Sequence, residues 1–240
     1  YFPWKVFMVS SDHDFQENPR SLFGCKKVWP GFNRISSWFL HVNDACHLSK
    51  LSAEKNVQKL CKKYKIKNVI LRYFNVVGAQ VKEKPYLGQI NLTGQLFQNL
   101  CLYLKSKKKD FSVFGYNLNT KDGTCVRDFI HVMDLAETHY LAAKYLCSAK
   151  NNSEIFNCGY GKGRTVKEII KSFEKFSGKR ILFKKKRQKK GDITKSICDN
   201  KKIQNKIKWK PKYNNLNLMV QDSIKWFNYQ LKSKKKYLMI

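Results

Sequence analysis

Hydrophobic positions recur at helical spacing in five stretches of the chain. In the first, Ala53, Val57, Leu60, Cys61 and Tyr64 form an apolar stripe, and Glu54 and four lysines are assigned to the opposite face. This pattern is typical of an amphipathic helix with one side packed on a core. The other four helices are predicted over about residues 92–104, from Asp134, from Thr165, and over residues 216–231.

Two of these helices begin with a capping-box pattern. Asp134 is followed three residues later by Glu137, and Thr165 is followed by Glu168. In a capping box the first side chain accepts a hydrogen bond from a backbone amide of the first turn, and the second reaches back to the cap. We therefore expect helices to start at Asp134 and Thr165.

Strands are indicated by short, nearly continuous apolar runs. One covers Val6 to Val9, a second covers residues 68–74, and a third covers Glu154 to Asn157. A strand that is apolar on both faces and directly follows a helix is typical of a parallel sheet covered by helices. The sequence therefore predicts an α/β fold, whereas residues 12–45 carry no clear pattern.

The composition fits a folded protein with a strongly basic surface. Of 240 residues 42% are hydrophobic, and 48 Lys plus Arg against 17 acidic residues give a formal charge of +31. Such a charge would suit a polyanion, and a non-catalytic polyanion-binding protein stays open as an alternative. The lysines are spread from Lys5 to Lys236, however, so we interpret them as a solvated surface and expect no nucleic-acid partner. The densest basic run is residues 184–190.

The cysteine spacing and the lengths of the apolar runs argue against a metal site and a membrane span. The eight cysteines include no C-x-x-C pair, and none combines with the five histidines at metal-ligand spacing. We expect reduced thiols and no metal site. No apolar run reaches about 18 residues, and no signal peptide is visible. A cytoplasmic protein without membrane contact is therefore expected, and the first residue, Tyr1, suggests a gene product that starts upstream.

Two segments carry most of the candidate chemistry. Residues 72–79 read Arg-Tyr-Phe-Asn-Val-Val-Gly-Ala, and residues 122–136 read Asp-Gly-Thr-Cys-Val-Arg-Asp-Phe-Ile-His-Val-Met-Asp-Leu-Ala. Asn75 follows a predicted parallel strand, at the edge of the sheet where ligands bind in open α/β folds. The guanidinium of Arg127 can bind a diphosphate through two hydrogen bonds. A salt bridge from Arg127 to Asp128 is the alternative role.

Both segments, in order, resemble the UDP-glucose 4-epimerases, a branch of the extended short-chain dehydrogenase family. The resemblance continues from Ser49 to about Gln230. It implies NAD as cofactor and interconversion of UDP-glucose and UDP-galactose. It also implies that residues 1–80 are the C-terminal part of a Rossmann-type doubly wound parallel sheet, residues 81–232 a smaller mixed α/β substrate domain, and residues 233–240 a basic tail. The glycine-rich pyrophosphate loop would lie upstream.

The resemblance also assigns ligand-binding roles. It places Phe74 near the nicotinamide, and it places Asn75, Asn91, Leu92, Phe114 and Arg127 around the UDP-sugar. Lys189 and Asp192 match a turn that holds a phosphate and the uridine ribose, although a lysine stands where the family has an arginine. Ser196 matches a position where side-chain size controls access. Because serine is small, we expect UDP-N-acetylhexosamines to be accepted as well.

The family's catalytic motif is altered in this chain. In the family a tyrosine and a lysine lie one helical turn apart, and the lysine lowers the pKa of the tyrosine and holds the nicotinamide ribose. Lys50 matches the lysine, but Cys46 occupies the tyrosine position. A thiol can ionise, but its side chain is too short to reach the same proton. We therefore expect impaired catalysis in a fragment or degenerate copy, with rescue by His41 or His47 as the alternative. Ser11 matches the family's catalytic and cofactor-binding serine.

The loop Gly159-Tyr-Gly-Lys-Gly163 lacks the third glycine of a dinucleotide-binding loop and resembles instead a loop of the epimerase substrate domain. A related sugar-nucleotide dehydratase is a rival assignment, but it would need a partner acid beside Asp12. Relatives pair through the helix that carries the lysine, so the resemblance implies a homodimer if that surface is retained.

Overall fold

The structure is a computed structural model that describes residues 4–10, 45–90, 94–107, 109–148, 153–188 and 192–237. Within these ranges, side chains are described from residue 50 to residue 233.

The described residues contain six helices. The helix predicted over residues 92–104 begins later, at Leu96. The bounds are α1 Ala45–Lys63, α2 Leu96–Lys105, α3 Val132–Ser148, α4 Val166–Ser177, α5 Lys201–Ile207 and α6 Leu216–Tyr237.

The described residues also contain nine strands. Their bounds are β1 Trp4–Ser10, β2 Lys67–Tyr73, β3 Asn75–Val77, β4 Phe111–Phe114, β5 Val126–His131, β6 Ser153–Cys158, β7 Gly163–Thr165, β8 Phe183–Lys186 and β9 Lys195–Ser196.

The predicted parallel sheet is confirmed. Strands β1, β2 and β6 pair in parallel in that order. Val69, Ile70 and Leu71 in the central strand are fully buried, because neighbouring strands and packed helices cover β2 on all sides. Strand β6 joins this sheet although it lies far beyond residue 80, so the chain returns to the first sheet after building part of the second.

A second sheet is organised around β5. Strand β3 pairs with β5 in parallel, β7 pairs with it antiparallel, and β9 pairs with it in parallel. Strands β4 and β8 form a separate parallel pair. The core between these elements includes an aromatic cluster in which Phe97 lies 5.3 Å from both Phe129 and Phe173, measured between ring centroids.

The two predicted capping boxes have different outcomes. The box at Thr165 is confirmed: its hydroxyl accepts from the Glu168 amide at 3.1 Å, and the Glu168 carboxylate accepts from the Thr165 amide at 3.0 Å. The box at Asp134 is wrong, because α3 begins two residues earlier at Val132. The Asp134 carboxylate instead accepts hydrogen bonds from other parts of the chain, and Glu137 pairs with Lys212.

Candidate functional site

Strand β5 brings three of the predicted site residues together. Arg127 lies opposite Ser196 of β9, and Phe129 lies opposite Asn75 of β3. Strand β7 occupies the other edge of β5 at Arg127. In the second sheet β5 lies between β3 and β7, so β3 lies along the same edge of β5 as β9. Asn75 and Ser196 therefore lie opposite positions of β5 that are two residues apart. The structure therefore places Asn75, Arg127 and Ser196 in one neighbourhood.

Asp192 joins this group through an ion pair. The Arg127 Nη2 atom donates to Asp192 Oδ1, although the two residues are 65 positions apart in sequence. Only 14% of the Arg127 side chain is exposed, and 23% of the Asp192 side chain. The alternative salt bridge from Arg127 to Asp128 is wrong, because Asp128 is fully buried and bound to backbone amides. The sequence predicted both Arg127 and Asp192 as site residues, but not their contact.

Cys125 is a member of this group that the sequence analysis did not single out. Burial raises the pKa of its thiol, so the thiol stays protonated near neutral pH and can donate a hydrogen bond. Its Sγ atom lies 3.9 Å from Asp192 Oδ2. A signal was available, because Cys125 lies two residues from Arg127 and alternate residues of an extended chain face the same side.

Asp128 organises the loops beside the site. Its carboxylate accepts hydrogen bonds from the amides of Tyr160 at 3.1 Å, Gly161 at 2.8 Å and Cys198 at 3.2 Å. Burial raises the pKa of this carboxyl, and the amide hydrogen bonds partly offset the effect. The amides of the loop after β6 therefore bind a carboxylate of the protein, which agrees with the rejection of this loop as a dinucleotide site.

The aromatic residue predicted at the UDP-sugar site is exposed. Phe114 ends β4, and 42% of its surface is accessible. Its neighbour Gly115 has a φ of +76°, and a Cβ there would lie 3.0 Å from Cys125 Sγ. The end of β4 is thus packed against the residue that leads into the Arg127 strand.

Helix α1 is fixed onto the carboxyl end of β2. The Arg72 guanidinium binds both carboxylate oxygens of Glu54, with Nε to Oε2 at 2.8 Å and Nη2 to Oε1. Lys50 lies one turn before Glu54 on α1 and is half-buried. The Phe74 amide donates to the Cys158 carbonyl at 3.2 Å, which keeps the strand ends of β2 and β6 together. Lys50 and Phe74 therefore belong to the end of the sheet where α/β proteins bind ligands.

Four predicted residues cannot be placed. Ser11, Asn91, Leu92 and Lys189 lie outside the described residues. The backbone of Cys46 lies in the first turn of α1, but its side chain is not among those described.

These features define a class of protein. A parallel sheet with ligand-type side chains at the carboxyl ends of its strands, next to a second sheet that holds a partly buried arginine, is the arrangement of an α/β nucleotide-binding protein. None of the described helices combines the length and the apolar character needed to cross a bilayer.

Comparison with known proteins gives the family. The profile of the NAD dependent epimerase/dehydratase family matches residues 22–159, more than half of the chain. The chain belongs to this family. A UDP-glucose 4-epimerase of Azospirillum brasilense is 33% identical over 179 residues, which cover 74% of this chain and 51% of that protein. The chain spans about half the length of the curated relatives it matches.

Solved structures agree with this assignment. A UDP-glucose 4-epimerase from Stenotrophomonas maltophila, with bound NAD and formylated UDP-arabinopyranose, superimposes with a TM-score of 0.75 at 27% identity. The match covers 96% of this chain and 65% of that one. The UDP-Glc/GlcNAc 4-epimerase of Campylobacter jejuni superimposes with a TM-score of 0.67 at 30% identity, covering 95% of this chain and 65% of that one. These likenesses confirm the predicted Rossmann-type α/β fold.

Proposed function

We propose that this chain provides the UDP-sugar site of a UDP-glucose 4-epimerase, which interconverts UDP-glucose and UDP-galactose. The single observation that carries the proposal is the grouping of Arg127, Asp192, Asn75 and Ser196 around one end of β5. A guanidinium and a carboxylate side by side suit a diphosphate and a ribose diol, respectively. Relatives named as UDP-glucose 4-epimerases support the same substrate class.

Asp192 has two tasks in this proposal. In the structure it neutralises Arg127 and is itself held by the Cys125 thiol. When UDP binds, the diphosphate replaces part of this charge compensation, and the Asp192 carboxylate accepts from the ribose hydroxyls. The Arg127 and Asp192 side chains thus hold each other in place before the nucleotide binds, because burying a guanidinium without a counter-charge would lower the stability of the fold.

NAD is the cofactor that we propose for the intact site. It would take a hydride from the sugar and return it. Lys50 on α1 and Phe74 at the end of β2 would hold its nicotinamide end, and the Glu54–Arg72 pair fixes their two elements together. The described residues fit this end of an NAD site only, since the amides of the glycine-containing loop at 159–163 are bound to Asp128.

Catalysis by this chain is proposed to be impaired. Cys46 lies four residues before Lys50 in the sequence of α1, which corresponds to about one helical turn. The thiol is shorter than a phenol, and proton removal requires hydrogen-bond contact with the sugar hydroxyl. Mixing the chain with NAD and UDP-galactose should therefore produce no UDP-glucose; turnover comparable to that of an intact epimerase would show that another group supplies the base.

UDP-N-acetylhexosamines are proposed as additional ligands. Ser196 is small, half-buried and directly opposite Arg127, so it leaves room beside the diphosphate site. The Campylobacter jejuni relative carries both the glucose and the N-acetylglucosamine sugar in its name. UDP-N-acetylglucosamine should bind about as tightly as UDP-glucose, and Ser196→Tyr should weaken only the acetylated sugar.

A homodimer through α1 is proposed from the same resemblance. The helix and the residue that follows it expose three large apolar side chains, Leu51 at 42%, Leu60 at 42% and Tyr64 at 54%. Sedimentation velocity should give a dimer for the unmodified chain and a monomer for Leu60→Glu. A concentration-independent monomer in both cases would remove this part of the proposal.

The first experiment is the thermal midpoint of the purified chain with and without millimolar UDP. A ligand that binds only the native state raises the midpoint. Arg127→Ala should abolish the rise, whereas Arg180→Ala, which removes an exposed guanidinium after α4, should keep it. No rise for the unmodified chain would contradict the proposal. Salt-sensitive binding of nucleic acid that UDP leaves unchanged would favour the polyanion-binding alternative.

A further inference from the structure

Two lysines converge on one tyrosine beside the β5 site. The Nζ atom of Lys185 lies 3.9 Å from the centroid of the Tyr116 ring, and the Nζ atom of Lys167 lies 5.0 Å from the same centroid. Hydrogen bonding to Lys185 lowers the pKa of the Tyr116 phenol, and the charge of Lys167 adds to this effect. Two ammonium groups therefore lie close to one aromatic ring and favour the ionised form of its hydroxyl.

Lys167 is held in this position by the backbone. It lies in the first turn of α4, and its Nζ atom donates to the Asp122 carbonyl at 2.7 Å. The Asp122 carboxylate is close enough for Lys167 to help lower its pKa, but its two oxygens are bound to Thr124 and Thr165. A cation in the first turn of a helix is also unfavourable with respect to the helix dipole.

Lys185 comes from the facing strand. On β8 it lies opposite Val113 of β4, between Lys184 and Lys186. Lys184 forms an ion pair with Asp110 at 2.8 Å. Among the described residues, by contrast, neither Lys185 nor Lys167 forms an ion pair with a carboxylate.

We propose that Lys167, Lys185 and the Tyr116 hydroxyl form a binding site for a phosphate or a phosphate monoester, next to the nucleotide site but separate from it. Such an oxyanion can accept charge-assisted hydrogen bonds from both ammonium groups and from the phenol. It would also relieve the repulsion between two like charges that share one ring. Gly115 links this site to the first, because it precedes Tyr116 and contacts Cys125.

The test is calorimetric titration of the chain with inorganic phosphate and, separately, with glycerol 3-phosphate, at constant ionic strength. The ligand that binds more tightly indicates whether the site takes free phosphate or a phosphate monoester. Saturable binding of at least one is expected. Replacing both lysines, Lys167→Gln with Lys185→Gln, should weaken it by at least about tenfold, since each charge-assisted hydrogen bond contributes to affinity.

The matched control keeps the charge change and moves it away from Tyr116. Lys171→Gln with Lys186→Gln alters one exposed lysine on the same helix and one on the same strand, and it should leave the affinity within about twofold. An equal loss in the control pair, or no saturable binding at all, would overturn the proposal. Displacement of the bound phosphate by UDP would also overturn it, because the lysines would then belong to the nucleotide site.

A spectroscopic signal locates the ligand independently of affinity. Bound phosphate should raise the pKa of Tyr116, because it neutralises the two ammonium groups that favour the phenolate. Absorbance titrations of the unmodified chain and of Tyr116→Phe, each with and without phosphate, give the contribution of Tyr116 by difference. Phosphate binding that leaves this difference unchanged contradicts a site at Tyr116.

Discussion

His131 Nε2 lies 3.2 Å from Asp222 Oδ2, and both residues are buried. The other ring nitrogen accepts a hydrogen bond from the Met133 amide at 3.2 Å, so the neutral ring carries its proton on Nε2 and donates it to Asp222. The ring also stacks on Tyr213, with 4.7 Å between centroids. This histidine therefore joins the end of β5, the start of α3 and the first half of α6.

Gly78 lies against the His131 ring and leaves no room for a side chain. Its φ is +80°, and a Cβ there would lie 2.3 Å from the His131 ring. Gly78→Ala should lower the free energy of unfolding by at least about 3 kcal/mol, because backbone strain and overpacking add. Urea denaturation measures the change.

Gly178→Ala provides the control for backbone strain alone. Gly178 has a φ of +65°, but a Cβ there would meet nothing within 4 Å. Gly178→Ala should lower the free energy of unfolding by about 1 kcal/mol. Equal costs at the two glycines would show that the His131 ring can move aside, and that it does not fix the packing of β5.

Asp134 is predicted to contribute more to stability than Asp110. Its carboxylate, fully buried, accepts from the Tyr160 hydroxyl at 2.5 Å, the Lys212 amide at 2.9 Å and the Tyr213 amide at 2.8 Å. Asp134→Ala leaves these donors without an acceptor and should cost about 3 kcal/mol or more. Asp110→Ala, which removes an acid paired with the exposed Lys184, should cost less than about 1 kcal/mol. Chemical denaturation that ranks the two variants in the opposite order would contradict this role.

Local patterns predicted local structure well. The capping box at Thr165 was predictable because its donors and acceptors lie within four residues of one another. The same pattern at Asp134 failed because a stronger set of partners, 26 to 79 residues away in sequence, binds that carboxylate. A capping pattern describes what a side chain can do, whereas tertiary contacts decide what it does.

In the candidate site, too, the sequence identified individual residues but not the tertiary contacts between them. Arg127, Asp192, Asn75 and Ser196 were singled out individually through motifs and resemblance, but no sequence pattern showed that β9 and β3 share an edge of β5. The Arg127–Asp192 pair and the Cys125 contact span more than 60 positions. The Tyr116 cluster was missed for a further reason, since in a chain with 48 basic residues two lysines attract no notice until the fold brings them together.

The pair of Arg72 and Glu54 should respond asymmetrically to substitution. Only 5% of the Glu54 side chain is exposed, against 42% for Arg72. Arg72→Ala leaves a buried carboxylate without its counter-charge and should cost about 3 kcal/mol. Glu54→Ala leaves a guanidinium that water can reach and should cost less. The measurement is urea denaturation of both variants; similar costs would mean that water reaches Glu54 readily in solution.

Cysteine reactivity should separate the thiols by environment. Cys147 is exposed, whereas Cys101 and Cys158 are buried. Burial raises the pKa of both buried thiols to about 12, and only the thiolate reacts with an alkylating reagent. Brief treatment with iodoacetamide at pH 8, followed by peptide mass spectrometry, should label Cys147 in the native chain and the other two only after unfolding. Rapid native labelling of Cys158 would show that β6 opens locally.

The raised pKa of Cys158 also predicts how stability depends on pH. In the unfolded chain this thiol ionises around pH 9, and in the native chain it keeps its proton up to about pH 12. Above pH 9 the native state therefore binds more protons than the unfolded state, so stability falls as the pH rises. Each such thiol contributes a slope of about 1.4 kcal/mol per pH unit, and Cys158→Ala should reduce the measured slope by that amount. Val69→Ala is the control, because it truncates a buried residue of the same sheet without removing an ionisable group. The dependence of its unfolding free energy on pH, between pH 9 and about pH 11, should match that of the unmodified chain. If Cys158→Ala also matched the unmodified chain, the Cys158 thiol would ionise without unfolding of the protein.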